Sequence, residues 1–87
     1  MALKIQRSLD RGVAVFTLSG RIDGARVTEL QRLFDTEAED HRIVLDLRDV
    51  DLVDRESVKF LMRCAANNIG LEHCPEYIRQ WISRETA

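Results

Sequence analysis

IVLDLRDVDLVDRESVKFLM, residues 43–62, places a strand signal and a helix signal back to back. Ile43-Val44-Leu45-Asp46-Leu47 is short, apolar and β-branched, which suits a buried strand. Arg48-Asp49 reads as a polar turn. Val50, Leu52 and Val53 follow, and Asp54 stands where a helix start needs a cap. From Val58 the apolar residues recur at 58, 61, 62, 65, 66 and 69, the spacing of one helical face. The segment therefore predicts an interior strand at 43–47, a short loop, and a helix from Asp54 to about Asn67.

Upstream, Leu3, Ile5 and Leu9 alternate imperfectly with polar residues, and Asp10-Arg11-Gly12 signals a tight turn. Val13 to Leu18 is apolar on both faces. Residues 3–9 and 13–19 thus predict a hairpin whose second strand is the more central. Gly20 punctuates the chain. Asp23 is a second candidate cap, and Val27, Leu30, Leu33, Phe34 and Ala38 form the inner face of a helix reaching about residue 38, with Glu29, Arg32, Asp35, Glu37 and Glu39 outside.

Downstream, Asn67-Asn68 and Gly70 stop the second helix, because these residues tolerate the left-handed conformation. Leu71 to Cys74 reads as a short last strand whose edge is open to pairing. Pro75 suits the first position of a last helix. Tyr77, Ile78, Trp81 and Ile82 supply its apolar face, which closes the core or meets a partner or a second copy. Residues 83–87 are expected to fray. The order is ββαβαβα: a mixed four-stranded sheet with about three helices, one α/β domain over residues 1–87.

Composition narrows the function classes. The chain has 87 residues, 45% hydrophobic and 32% charged, with net charge −2. That balance argues against non-specific nucleic-acid binding, which needs a basic face. No apolar run approaches the roughly 18 residues of a membrane-crossing helix, and the N-terminus lacks the apolar centre of a signal peptide. A cytoplasmic protein that does not insert into membranes is expected, with Cys64 and Cys74 as reduced, wholly or partly buried thiols.

Catalytic and metal readings find little purchase. Gly20 and Gly24 are isolated, so no phosphate-binding loop forms. His41 and His73 have ordinary settings. Cys64, His73 and Cys74 would suit zinc if they clustered, yet they lack a paired knuckle spacing and a fourth ligand. Asp46, Asp49, Asp51 and Asp54 form an acidic stripe that reads as loop carboxylates and a cap. No catalytic residue, metal or cofactor is expected.

The run Leu52-Val53-Asp54-Arg55-Glu56-Ser57-Val58 resembles a motif of the STAS domain family, the bacterial anti-sigma-factor antagonists. The family motif runs apolar-apolar-Asp-Ser-Ser-Gly-Leu. Gly20-Arg21-Ile22-Asp23 is similar to the segment before the family's first helix. The likeness covers residues 3 to about 74. It implies a STAS-like fold and a docking surface at Asp51, Asp54, Arg55, Glu56, Ser57 and Lys59. The implied partner is an anti-sigma factor of serine-kinase type. The alternative is an accessory subunit of a membrane lipid or anion transporter.

Two departures matter. The Ser or Thr that a kinase modifies in the family is replaced by Arg55, and the family's Gly corresponds to Ser57. A phosphoserine would add about −1.5 to −2 charge at a helix start, whereas Arg55 fixes a positive charge there. Binding is therefore expected not to depend on phosphorylation, and Ser57 in the first turn is a poor substitute site.

Overall fold

A computed structural model describes residues 3–86. The order is β1 (Lys4–Asp10), β2 (Val13–Ile22), α1 (Gly24–Asp35), β3 (Arg42–Val53), α2 (Arg55–Ala66), β4 (Gly70–Glu72) and α3 (Glu76–Thr86). One sheet carries the strands in the order β1-β2-β3-β4. β1 is antiparallel to β2, and β3 is parallel to both β2 and β4. The ββαβαβα order and the mixed four-stranded sheet are those expected.

The hairpin closes through Arg11-Gly12, both at positive φ (52° and 78°), as a two-residue type I′ turn requires. Ala14, Phe16 and Leu18 point to one face of β2 and are at most 1% exposed. Phe34 of α1 meets Phe16 edge-on at 5.3 Å between centroids and stacks on Phe60 of α2 at 5.9 Å. Both helices therefore lie on that face. Each fully buried side chain of this size contributes roughly 1.5–3 kcal/mol.

β3 departs most from expectation. The predicted turn at Arg48-Asp49 and the loop to Val53 are strand throughout, and the strand runs to Val53 instead of ending at Leu47. Two bulges explain why. Thr17 faces Asp46 and Ser19 faces Asp49, so Leu18 opposes two residues, Leu47 and Arg48. Gly20 then faces Val50 and Arg21 faces Leu52, leaving Asp51 as a second inserted residue. Besides Val44, buried positions fall at Leu45, Leu47, Val50 and Val53, a spacing of two that changes to three, so strict alternation is lost. Asp46 Oδ1 accepts from the Arg48 N–H at 3.0 Å across the first bulge. Gly20, at φ 104°, supplies the backbone that β2 needs between the bulges.

Smaller corrections concern the ends. α1 stops at Asp35, and Ala38 is exposed, not part of the inner face. Glu37, expected outside, has a side chain only 5% exposed. β4 is three residues long and ends before His73, whose positive φ turns the chain away. Pro75 lies just before α3 rather than within it, its carbonyl accepting from Arg79 at 3.0 Å. The tail expected to fray is helical to Thr86; Ala87 lies outside the described residues.

Candidate functional site

Ile22 pairs with Val53, so β2 and β3 end side by side and each runs directly into a helix. Each junction is capped by an aspartate. Asp23 Oδ1 accepts from the Arg26 N–H at 3.1 Å. Asp54 Oδ1 accepts from the Ser57 N–H at 2.8 Å. Both satisfy a donor that has no helical partner.

The second junction is bound more closely. The Ser57 hydroxyl lies 2.7 Å from Asp54 Oδ1 and 2.8 Å from the Ile22 carbonyl, and its single proton serves these two acceptors. Ser57 is fully buried. It therefore ties the start of α2 to the end of β2 from inside. Burial alone would raise the Asp54 carboxyl pKa. The Ser57 hydroxyl and the backbone N–H groups of Ser57, Gly24 and Asp54 outweigh it and hold the pKa below the ordinary value.

Arg55 occupies the first position of α2, and its side chain is 70% exposed. Its Nε lies 3.3 Å from Glu85 Oε1 on α3, to which Trp81 Nε1 also donates at 3.4 Å. Tyr77 at the other end of α3 donates to the Val50 carbonyl, between the two bulges, at 3.1 Å. α3 thus braces both sides of the junction. Arg55 is neither a free solvated cation nor buried; it is an exposed group held by an acid 30 residues later.

Of the predicted docking residues, Asp51, Asp54, Arg55, Glu56 and Lys59 all sit at the surface of this junction. Ser57 does not: with its hydroxyl turned inward it cannot touch a partner in this conformation, and its placement on the docking surface is corrected. Leu52, not singled out from sequence, is 53% exposed. With Gly20, Arg21 and Asp51 it lines a shallow groove of about 200 Å³. The break in apolar spacing at 47, 50 and 53 is the signal that leaves Leu52 outside the buried series. Tyr77, expected on the apolar face of the last helix, is 42% exposed, and nothing local could have pointed to its bond to Val50 or to Glu85.

The remaining chemistry is dispersed. Cys64 is buried, and burial pushes its thiol up to about 11, with Arg63 opposing. Cys74 is half-buried, and burial raises it too. Among the described residues no group of three His, Cys, Asp or Glu side chains is arranged to hold a metal ion. Asp46 instead faces His73 at 3.3 Å, and Arg48 contacts the same ring. Arg7 of β1 grips Glu37 with two nitrogens, and His41 Nδ1 lies 2.9 Å from Glu37 Oε2. The Arg7 hydrogen bond first, and that of His41 second, bring the Glu37 carboxyl down to about 2. No helix among the described residues is long and apolar enough to cross a membrane.

Comparison with known proteins places this geometry. A family model described as "Mlab, STAS domain" matches residues 5–74. No curated protein sequence matches the chain. Among solved structures, one described as "Crystal Structure Analysis of Mglu" superposes with TM-score 0.60 at 22% identity, over 82% of this chain and 19% of that one. The chain thus spans about a fifth of that protein's length. A protein of the DUF3478 family with a SpoIIAA-like fold, from Shewanella loihica, superposes with TM-score 0.59 at 10% identity, over 97% of this chain and 75% of that one. At these identities the likeness is one of fold. The match to the family model over residues 5–74 spans every element through β4, and the chain belongs to the STAS domain family.

Proposed function

We propose that this chain is a non-catalytic protein-interaction module whose docking surface is the β3–α2 junction, and that its binding is independent of phosphorylation. The observation that carries the reading is the rigid, internally bonded first turn of α2 beneath an exposed, chemically mixed surface. Leu52 offers an apolar contact in a groove shared with Arg21 and Asp51, and Glu56 and Lys59 are exposed on the adjoining first turns of α2. An apolar centre with a charged rim suits a protein partner, because such centres give affinity and the rim gives orientation. The mixed charge does not suit a nucleic acid.

Constitutive binding follows from two side chains. The position that carries a modifiable hydroxyl in the resembled motif carries Arg55, which is paired to Glu85. The hydroxyl in the first turn, Ser57, is 0% exposed and its proton is committed to Ile22 and Asp54. A kinase would have to unwind the turn to reach it.

Affinity capture from the source cells tests this. Leu52→Asp should reduce recovery of the partner at least about tenfold, as loss of a central apolar contact does. Incubation of the protein with a serine kinase of the source cell should leave its mass unchanged. Equal recovery by wild type and Leu52→Asp, or stoichiometric gain of one phosphate at Ser57, would contradict the reading.

A further inference from the structure

The two edges of the sheet are unequal. β4 offers three residues before His73 turns the chain. β1 offers seven, Lys4–Asp10, of which only Ile5 is partly buried. The expected open edge at the last strand is thus the lesser of the two.

Long free edges are hazards that proteins usually blunt with charge. Lys4 and Arg7 could be read that way, as protection against pairing. The order of residues says otherwise. Placed antiparallel to a copy of itself about Arg7, KIQRSLD sets Lys4 opposite Asp10, Ile5 opposite Leu9 and Gln6 opposite Ser8. Opposite charges meet at Lys4–Asp10, apolar meets apolar at Ile5–Leu9, and neutral polar meets neutral polar at Gln6–Ser8; only the central Arg7 pair is mismatched.

Strand geometry agrees. In a two-residue hairpin the flanking pair, here Asp10 and Val13, exchanges both backbone hydrogen bonds. Ser8, Gln6 and Lys4 then turn their backbone groups to β2. Ile5, Arg7 and Leu9 turn theirs outward, and these are the residues that register about Arg7 brings together.

The faces agree as well. Ile5, Arg7 and Leu9 pair with Leu18, Phe16 and Ala14, the face covered by α1 and α2. Leu9 is 47% exposed there, one of the few large apolar side chains left in water. Across the two-fold axis it would lie on Ile5 of the second copy. The ion pairs would form on the opposite face. The central Arg7–Arg7 pair would be repulsive but for Glu37, whose carboxylate grips each guanidinium within its own copy.

We infer that β1 pairs antiparallel with β1 of a second copy about Arg7, joining the two sheets into one in a two-fold dimer. Such an interface is isologous, each contact occurring twice. It is also small, below about 1,200 Å² in total, so the dimer is a weak one.

Sedimentation equilibrium from about 5 μM to 1 mM, a range that brackets weak association, should show monomer passing to dimer. Lys4→Asp and Asp10→Lys should each raise the dissociation constant about tenfold, since each sets two like-charge pairs in one dimer. The double variant should restore it. Leu9→Lys should remain monomeric with an unchanged circular dichroism spectrum. In the wild type, amide exchange at Ile5, Arg7 and Leu9 should slow with concentration while Gln6 and Ser8 stay constant. Monomer throughout the range overturns the inference. So does a dimer indifferent to Leu9→Lys, or exchange at Ile5, Arg7 and Leu9 that does not change with concentration.

Discussion

The two strand-to-helix junctions of this protein are built to one plan and finished differently. β2 reaches Asp23 after a backbone that stays in step until its last few residues, and β3 reaches Asp54 through two inserted residues. Both caps accept from the N–H three residues on. Only Asp54 also meets a buried hydroxyl, and that hydroxyl reaches across to the first junction at Ile22. Only the second is braced from outside, by Arg55–Glu85 and Tyr77–Val50. The difference teaches where a shared solution has been given more. A cap alone starts a helix; a cap with a buried cross-tie and an external brace fixes a surface.

If that contrast is real, substitutions at the second junction should cost more. Asp54→Ala should destabilise by about 2 kcal/mol in urea unfolding, at the upper end for a cap, because the Ser57 N–H and hydroxyl both lose an acceptor. Ser57→Ala should cost about 1 kcal/mol, the loss of one buried hydrogen bond. Asp23→Ala should cost roughly 0.5–1 kcal/mol, an ordinary cap. Equal costs for the two aspartates would erase the distinction. Arg55→Ala should be nearly silent, below about 0.5 kcal/mol, since the pair is exposed and screened. A larger value would mean that α3 depends on it.

Acid sharpens the contrast further. The Asp54 carboxyl lies below its usual value of 3.8, so its contribution is complete above that pH. It is lost as pH falls through the lower, folded-state value. Asp54→Asn keeps a good cap and removes the charge, so it should flatten the fall of stability below about pH 3.8. Glu37 acts in the same direction from outside the junctions, its stabilisation present above 4.5 and lost down to about 2. Arg7→Ala should flatten that part of the acid limb, and an unchanged limb would show that the Arg7–Glu37 pair does not act in solution.

Much of this was legible in the sequence, for physical reasons. The hairpin, both aspartate caps and the existence of the second helix follow from turn chemistry, capping and 3.6-residue spacing, all of which are local. The buried apolar face of that helix, however, is Val58, Phe60, Leu61 and Cys64, with Ala65 and Ala66 exposed. The bulged half of β3 was not legible as strand. Its buried residues at Leu47, Val50 and Val53 are three apart, and a strand is recognised by a spacing of two. The inward turn of Ser57 depends on Ile22, 35 positions earlier, and the hold on Arg55 depends on Glu85. Glu37 looked like a solvated acid because Arg7, its partner, lies 30 residues away on the edge strand. Long-range polar pairs of this kind leave no periodic trace.

The docking role of the second junction is the central claim, and matched probes at equivalent places test it most directly. Leu52 and Lys59 stand two residues before and five after Asp54; Arg21 and Thr28 stand likewise about Asp23, and all four are exposed. A photocrosslinking residue at each, in the source cells, should join a partner protein from positions 52 and 59 and little from 28, with 21 intermediate because it lines the Leu52 groove. Crosslinks that are strongest at 28 and absent at 52 and 59 would contradict the account.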